Sequence, residues 1–305
     1  MMIQPDFLKE GDCVALIAPA GHQPNDSIEA VRDCIASYGL IPKVYPSCYL
    51  EYGYLSGPDK LRAKDINDAF EDTSVAAILC IRGGYGCHRL IDMIDWDIVK
   101  KSPKFLYGYS DITALHNELQ RRCNFMSWHA PMPGIEWING LDEFTENSLR
   151  LALFGPFPDS ISNDDDNLLN IISHGESEGI LSGGNLTLLV ATLGTPYEID
   201  TKEKILFIED VHETPRNVDR KLLQMSHSGK FRECNGVIIG SFAHCTAPEH
   251  SKSLTLDEIF QEFFCDMKVP VLSKLQCGHA MPTLSLPLGA RIRINTSRNE
   301  ITVIK

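Results

Sequence analysis

The stretch Lys104-Phe105-Leu106-Tyr107-Gly108-Tyr109-Ser110-Asp111-Ile112-Thr113-Ala114-Leu115 passes from an apolar run into a helical period with almost no loop between. Residues 104–109 read as a buried strand, and Ile112, Leu115 and Leu119 recur at helical spacing. A strand feeding directly into a helix is the repeating unit of a parallel sheet covered by helices. Working outward, the first half of the chain repeats that unit. Strands are expected at 14–19, 43–46, 76–82 and 125–128, and helices at 27–38 and 60–71, with Asp26 and Asp59 as first-turn caps. The fold class is α/β.

Between Phe154 and Asn167 the text turns to Gly-Pro-Phe-Pro and then Asn163-Asp164-Asp165-Asp166, a passage rich in breakers and without apolar periodicity. It is read as a solvated linker, with an N-terminal α/β domain over 1–154, a linker over 155–178 and a C-terminal domain over 179–305. The second half carries short strands at 205–209, 236–241 and 269–275, and a C-terminal hairpin of 290–294 with 301–304. Ile259, Phe260, Phe263, Phe264 and Met267 form one helical apolar stripe, read as core.

Composition narrows the function. Of 305 residues 43% are hydrophobic and 23% charged, the balance of an ordinary globular protein, and the net charge of −13 comes without a basic cluster that would neutralise phosphates, so nucleic acid is not an expected partner. No apolar run reaches the roughly 18 residues of a membrane span, and the N-terminus lacks the pattern of a secretory signal. Ten cysteines without a C-x-x-C pair give neither zinc-finger nor redox spacing and suit a reducing cytoplasm; no metal or cofactor is expected.

Ser110 stands where chemistry is expected. A strand-to-helix turn exposes a hydroxyl at the carboxyl edge of the sheet and points the first helical amides at a developing oxyanion. The match to G-x-S-x-G is incomplete, since Ile112 occupies the second glycine position, and Ser and Asp are also ordinary helix caps, which this segment alone favours. A second such turn, Arg82-Gly83-Gly84-Tyr85-Gly86, lets backbone approach a ligand closely and departs from the dinucleotide pattern G-x-G-x-x-G, so it is read as an oxyanion or carboxylate cradle. Arg82 at its mouth suits a terminal carboxylate, with a surface salt bridge as the alternative. For a base, His279, His129 and His244 each follow an expected strand, and spacing does not separate them. Glu209, closing an apolar strand, needs a partner, either a histidine or an arginine such as Arg220.

Taken together, Ala18-Pro19-Ala20-Gly21, Ile81-Arg82-Gly83-Gly84-Tyr85-Gly86, Gly108-Tyr109-Ser110-Asp111-Ile112-Thr113-Ala114, Gly183-Gly184-Asn185-Leu186, Gly194-Thr195-Pro196, Ile208-Glu209-Asp210, Val218-Asp219-Arg220, Gly278-His279 and Leu286-Pro287-Leu288-Gly289-Ala290 resemble, in this order and over nearly the whole chain, the L,D-carboxypeptidases of cell-wall recycling, whose family also contains microcin-immunity peptidases. The resemblance implies Ser110 as nucleophile, Glu209 as orienting acid and His279 as base. It implies Gly84 and Asp111 amides as oxyanion donors, while the reading of the glycine turn itself puts Arg82 and Gly83 on the substrate. It further implies a flavodoxin-like N-terminal domain, a smaller β-rich C-terminal domain of the swivelling β/β/α kind, a site at their interface and a homodimer. The implied substrate is a peptidoglycan-derived tetrapeptide losing its terminal D-alanine. A peptidyl-nucleotide antibiotic, or peptide binding without catalysis, are the alternatives. Ala20, Ala130 and Arg216 depart from the residues usual in the family at their positions and leave the catalytic set intact.

Overall fold

The computed structural model describes residues 2–164 and 168–304. The chain divides into two compact units, Met1–Pro156 with Ser285–Gly289, and Phe157–Leu284 with Ala290–Lys305. In the first unit β1 (Cys13–Ile17), β2 (Ile41–Val44), β3 (Val75–Cys80), β4 (Phe105–Gly108) and β5 (Ser127–His129) run parallel in the order β2-β1-β3-β4-β5. This is the flavodoxin-like doubly wound order, whose direction reverses between β1 and β3 and which collects ligands at the carboxyl ends there. Helices α1 (Ile28–Ser37), α2 (Asp59–Glu71), α3 (Trp96–Lys101), α4 (Thr113–Glu118) and α5 (Glu143–Phe154) connect and cover it. Alternate strand residues Ala15, Ile17, Ile78, Cys80 and Leu106 pack with Ile66 and Phe70 of α2 and with Leu115 and Leu119 in one core. The two periodicities of strand and helix thus meet on one buried face.

In the second unit β6 (Asn170–Ser173), β7 (Glu176–Asn185), β8 (Lys204–Val211), β9 (Gly236–Ala243) and β10 (Val271–Ser273) share a sheet with the hairpin β12 (Arg291–Asn295) and β13 (Glu300–Val303). Strands β7 to β10 are parallel, and both flanks are antiparallel. Helices α6 (Leu186–Ala191), α7 (Pro215–His227), α8 (Lys230–Glu233) and α9 (Leu256–Phe264) accompany them, and the apolar stripe of α9 enters the core with Leu206, Ile208 and Ile239. The α/β class, the parallel first sheet and the strand-rich second unit are as the sequence led one to expect.

Several details differ, each for a physical reason. Asp26 and Asp59 do not cap. Residues Asn25–Ser27 make a separate 3-10 turn, and Asp59 lies inside α2, where its carboxylate pairs with Arg62 and Arg89 instead. Charge-assisted pairing outweighs a neutral amide. The stretch read as linker contains β6 and the start of β7, whose polar ends hid them from a hydrophobicity reading. Asn163 is anchored, since its amide donates to the Lys274 carbonyl at 2.8 Å and its oxygen accepts from the Gln276 N–H at 2.7 Å; Asp165 and Asp166 lie outside the described residues. Finally β11 (Leu286–Leu288) returns to the first unit and pairs antiparallel with β5. Its Pro287 is tolerated because the strand is an edge.

Candidate active site

Three loops meet at the carboxyl ends of β1, β3 and β4 in the first unit. Ser110 follows β4 directly and opens the 3-10 turn Ser110–Ile112 that leads into α4. Its φ is 64°, a left-handed backbone that a residue with a side chain adopts at a cost of about 1–3 kcal/mol. A plain helix cap has extended backbone. The capping alternative does not describe Ser110, since no side-chain cap is made in this turn.

The glycine turn lies against this serine. A Cβ on Gly83 would come within 2.8 Å of Ser110 Cβ and 3.0 Å of its Oγ, and would stand 3.5 Å from the Asp111 amide nitrogen. Only a glycine fits there. Gly84, with φ of 120°, is exposed, and the Gly83 carbonyl accepts from the Gly21 N–H at 3.1 Å. The side chain of Asp111 ties the two turns together, Oδ2 accepting from the Cys87 N–H at 2.7 Å, and burial pushes this carboxyl up. Arg82 donates from Nη1 to the His22 carbonyl at 3.0 Å and makes no ion pair among the described residues, so its surface-salt-bridge alternative is not realised. Replacing Gly83 by alanine forces Ser110 aside; kcat is expected to fall about 10–100-fold with the protein still folded, as steady-state kinetics beside circular dichroism would read.

Beneath Ser110, the fully buried His116 bonds the Gly108 carbonyl through Nε2 and the Ser127 hydroxyl through Nδ1, both at 2.8 Å. A carbonyl only accepts, so Nε2 carries the proton and Nδ1 accepts from Ser127. Burial drives this imidazole from its ordinary 6.5 down to about 4. The unfolded chain therefore binds a proton that the folded one refuses. The associated stability, about 3 kcal/mol, is complete above pH 6.5 and is lost as pH falls toward 4. Urea melts at pH 7, 5.5 and 4.5 should show this slope, and His116→Gln should flatten it.

The second unit pairs a buried carboxylate with a histidine. Glu209, fully buried on β8, places Oε2 at 2.7 Å from His279 Nδ1. Its other oxygen accepts from the Asn185 amide at 3.2 Å, and Asn185 in turn caps α6 through the Leu188 N–H. Burial raises the Glu209 carboxyl, while the bonds from His279 and Asn185 oppose it. With Glu209 ionised, Nδ1 must be the donor, which leaves Nε2 as the basic nitrogen. Gly278, with φ of 127°, lets the His279 loop lie this close, because a Cβ there would fall 2.6 Å from Ser241 Oγ and 2.7 Å from Glu209 Oε2.

Of the three histidines left open by spacing, His279 is the one on Glu209. His129 is buried at the end of β5 with its ring 5.4 Å from that of Tyr109, and His244 is exposed beyond β9. Arg220, the other partner considered for Glu209, donates to Asn217 instead. Cys277 beside His279 is fully buried and its thiol is pushed well up by that burial, so it packs. Sequence reasoning gave no role to Asn185, His116 or the Asp111 carboxylate; Asn185 and Asp111 act on partners 24 residues away, and His116 on Gly108 and Ser127, 8 and 11 residues away. A polar residue opening a helix at Asn185 was the one local signal.

The fold is a two-unit α/β scaffold. The chain belongs to the LD-carboxypeptidase family: residues 14–130 match its N-terminal domain and residues 178–294 its C-terminal domain. It is a serine-type carboxypeptidase. It is 34% identical over 304 residues to a probable murein peptide carboxypeptidase of Bacillus subtilis, covering 98% of this chain and 94% of that one. Among solved structures, a muramoyltetrapeptide carboxypeptidase from Oxalobacter formigenes superposes with a TM-score of 0.83 at 27% identity, covering 95% of this chain and 97% of the other. An MccF-like protein from Bacillus anthracis superposes with a TM-score of 0.86 at 24% identity, covering 99% of both chains, a likeness of fold. Among the described residues no helix is long and apolar enough to cross a membrane.

Proposed function

We propose that this carboxypeptidase hydrolyses the L,D-peptide bond to the terminal D-alanine of peptidoglycan-derived tetrapeptides, with Ser110 as nucleophile, His279 as base and Glu209 as the acid that orients it. The observation that carries this reading is the left-handed backbone of Ser110, a strain that helix capping does not require. His279 Nε2 takes the Ser110 proton as Oγ attacks the scissile carbonyl, and the amides of Gly84 and Asp111 hold the oxyanion. His279 then protonates the departing D-alanine amine, and the acyl-enzyme is hydrolysed by water that the same nitrogen activates. Glu209 holds the Nδ1–H tautomer and stabilises the imidazolium. Arg82, with Gly83 beside it, receives the terminal carboxylate; among the described residues its Nε is buried without a partner, which leaves a donor for it.

The cell-wall substrate is preferred to a peptidyl-nucleotide because the relative sharing a third of its residues is a murein peptide carboxypeptidase, whereas the likeness to the MccF-like protein is one of fold. The proposal extends to a homodimer acting in the cytoplasm, where ten free thiols stay reduced. Incubation with a muropeptide tetrapeptide, followed by mass spectrometry, should show loss of D-alanine and a tripeptide product. An intact tetrapeptide, or labelling of a serine other than Ser110 by an active-site-directed reagent, would overturn the assignment.

A further inference from the structure

Glu209 shares its amide donor with a second acid. Consecutive side chains of a strand point to opposite faces. At the end of β8, where the register with β9 shifts by one residue, Glu209 and Asp210 nevertheless both reach Asn185. Its NH2 donates to Glu209 Oε1 at 3.2 Å and to Asp210 Oδ1 at 3.1 Å, one hydrogen for each. The two carboxylates therefore lie within about 6 Å of each other, close enough for the charge on one to weigh on the other. Both are buried. Burial raises the Glu209 carboxyl and the Asp210 charge adds to this, against the bonds from His279 and Asn185.

One cation answers the second acid. Lys221 of α7 places Nζ at 3.4 Å from Asp210 Oδ2 and 2.6 Å from Glu213 Oε1. It also donates to Thr187 Oγ1, whose hydroxyl donates in turn to Asp210 Oδ2 at 2.8 Å, and the Val211 N–H reaches Asp210 Oδ1 at 2.9 Å. A buried carboxylate without such partners takes up a proton instead. Cys277 beside Glu209 and Cys245 beside Asp210 are buried thiols that burial pushes up, so they carry no charge. His212 and His244, just past the strand ends, are exposed and stack on each other, and Arg220 turns to Asn217. Among the described residues Lys221 is the cation in contact with Asp210 and Glu213.

We propose that Asp210 and Lys221 are positioning residues for the Glu209–His279 pair. By taking the second hydrogen of the Asn185 amide, Asp210 fixes the orientation in which the first meets the Glu209 oxygen turned away from His279. Lys221 cancels the field that Asp210 would otherwise set against an ionised Glu209. The inference rests on the proposed roles of Glu209 as orienting acid and His279 as base. The working form of that pair is an ionised carboxylate with a neutral imidazole, and a proton taken up anywhere on the two stops the base. A negative charge added nearby raises the proton affinity of the pair as a whole, and a positive one lowers it. Loss of Lys221 therefore moves the acid limb of activity to higher pH, and loss of the Asp210 charge moves it to lower pH.

The test is the pH dependence of kcat/KM on a tetrapeptide for wild type, Lys221→Met, Asp210→Asn, the double variant and Lys221→Arg. The midpoint of the acid limb is expected to rise by about 1–2 pH units in Lys221→Met and to fall by a similar amount in Asp210→Asn, the effect of a unit charge at roughly 8 Å. The two shifts should cancel in the double variant, and Lys221→Arg, which keeps the charge, should return the wild-type midpoint. A merely structural role would lower the plateau of each variant and leave the midpoints in place. That result overturns the proposal, as do shifts of both single variants in one direction. Lys221 stands on a helix, where methionine is a good helix former, so its shift is readable even if Asp210→Asn does not fold. The ring C–H titration of His279, assigned with His279→Asn, should move in step in the unliganded proteins. A His279 midpoint that is the same in wild type and Lys221→Met overturns the proposal. If wild type cleaves no tetrapeptide, the D-alanine reading falls alone, since the imidazole titration needs no turnover and still decides the role of Lys221.

Discussion

Ser110→Ala is expected to lower kcat on a tetrapeptide by about 10⁵–10⁶-fold, leaving only what substrate binding and the backbone amides contribute. The same site makes an unusual demand on stability. Ser110 holds φ of 64°, so an alanine there keeps the strain while losing the hydroxyl, whereas a glycine loses both. Ser110→Gly should therefore be as inactive as Ser110→Ala yet melt at a higher temperature, by the few degrees that about 1 kcal/mol represents in a chain of this size. Calorimetry of the two inactive variants reads this directly. Equal melting temperatures would mean that the turn is not strained, and substantial turnover by either would remove Ser110 from the chemistry.

Glu209→Gln is expected to cost about 10³–10⁴-fold in kcat with little change in KM. The reason lies in the hydrogen bonds. Glu209 accepts on both oxygens, from His279 and from Asn185. Glutamine offers one acceptor and one donor, and if its oxygen faces the Asn185 amide, its NH2 faces His279 Nδ1. Nδ1 must then accept, the proton moves to Nε2, and the nitrogen that should take the serine proton is no longer basic. Loss of fold does not explain such a result. Burial raises the Glu209 carboxyl, so the ionised side chain is a burden on the folded state that a neutral amide removes, and thermal melts of Glu209→Gln should lie at or above those of wild type. A variant with near-normal kcat would show that His279 needs no orienting acid.

The two variants probe different units of the chain. Ser110 lies in Met1–Pro156 and Glu209 with His279 in Phe157–Leu284. Each unit arranges its own part: the Gly83 turn and the Asp111 carboxylate set Ser110, and Gly278 with Asn185 sets Glu209 and His279. Loss of either part should therefore abolish turnover without unfolding the other. His116 adds an acid limit on stability that belongs to the scaffold beneath Ser110 and not to His279.

The sequence by itself determined the α/β class, most strands within two or three residues, and the serine, the glycine turn and the glutamate as candidates, because apolar periodicity, glycine and a buried acid leave local marks. It left three histidines open, and family resemblance rather than spacing chose among them. Only the tertiary structure decided what depends on residues far apart in the chain meeting in space. His279 is 70 positions from Glu209, Asp111 is 24 from Cys87, and β11 joins β5 across the whole second unit. The left-handed turn of Ser110 belongs to the same class: serine and aspartate before a helix read as a cap, and only the fold reveals the left-handed serine with Gly83 pressed against it.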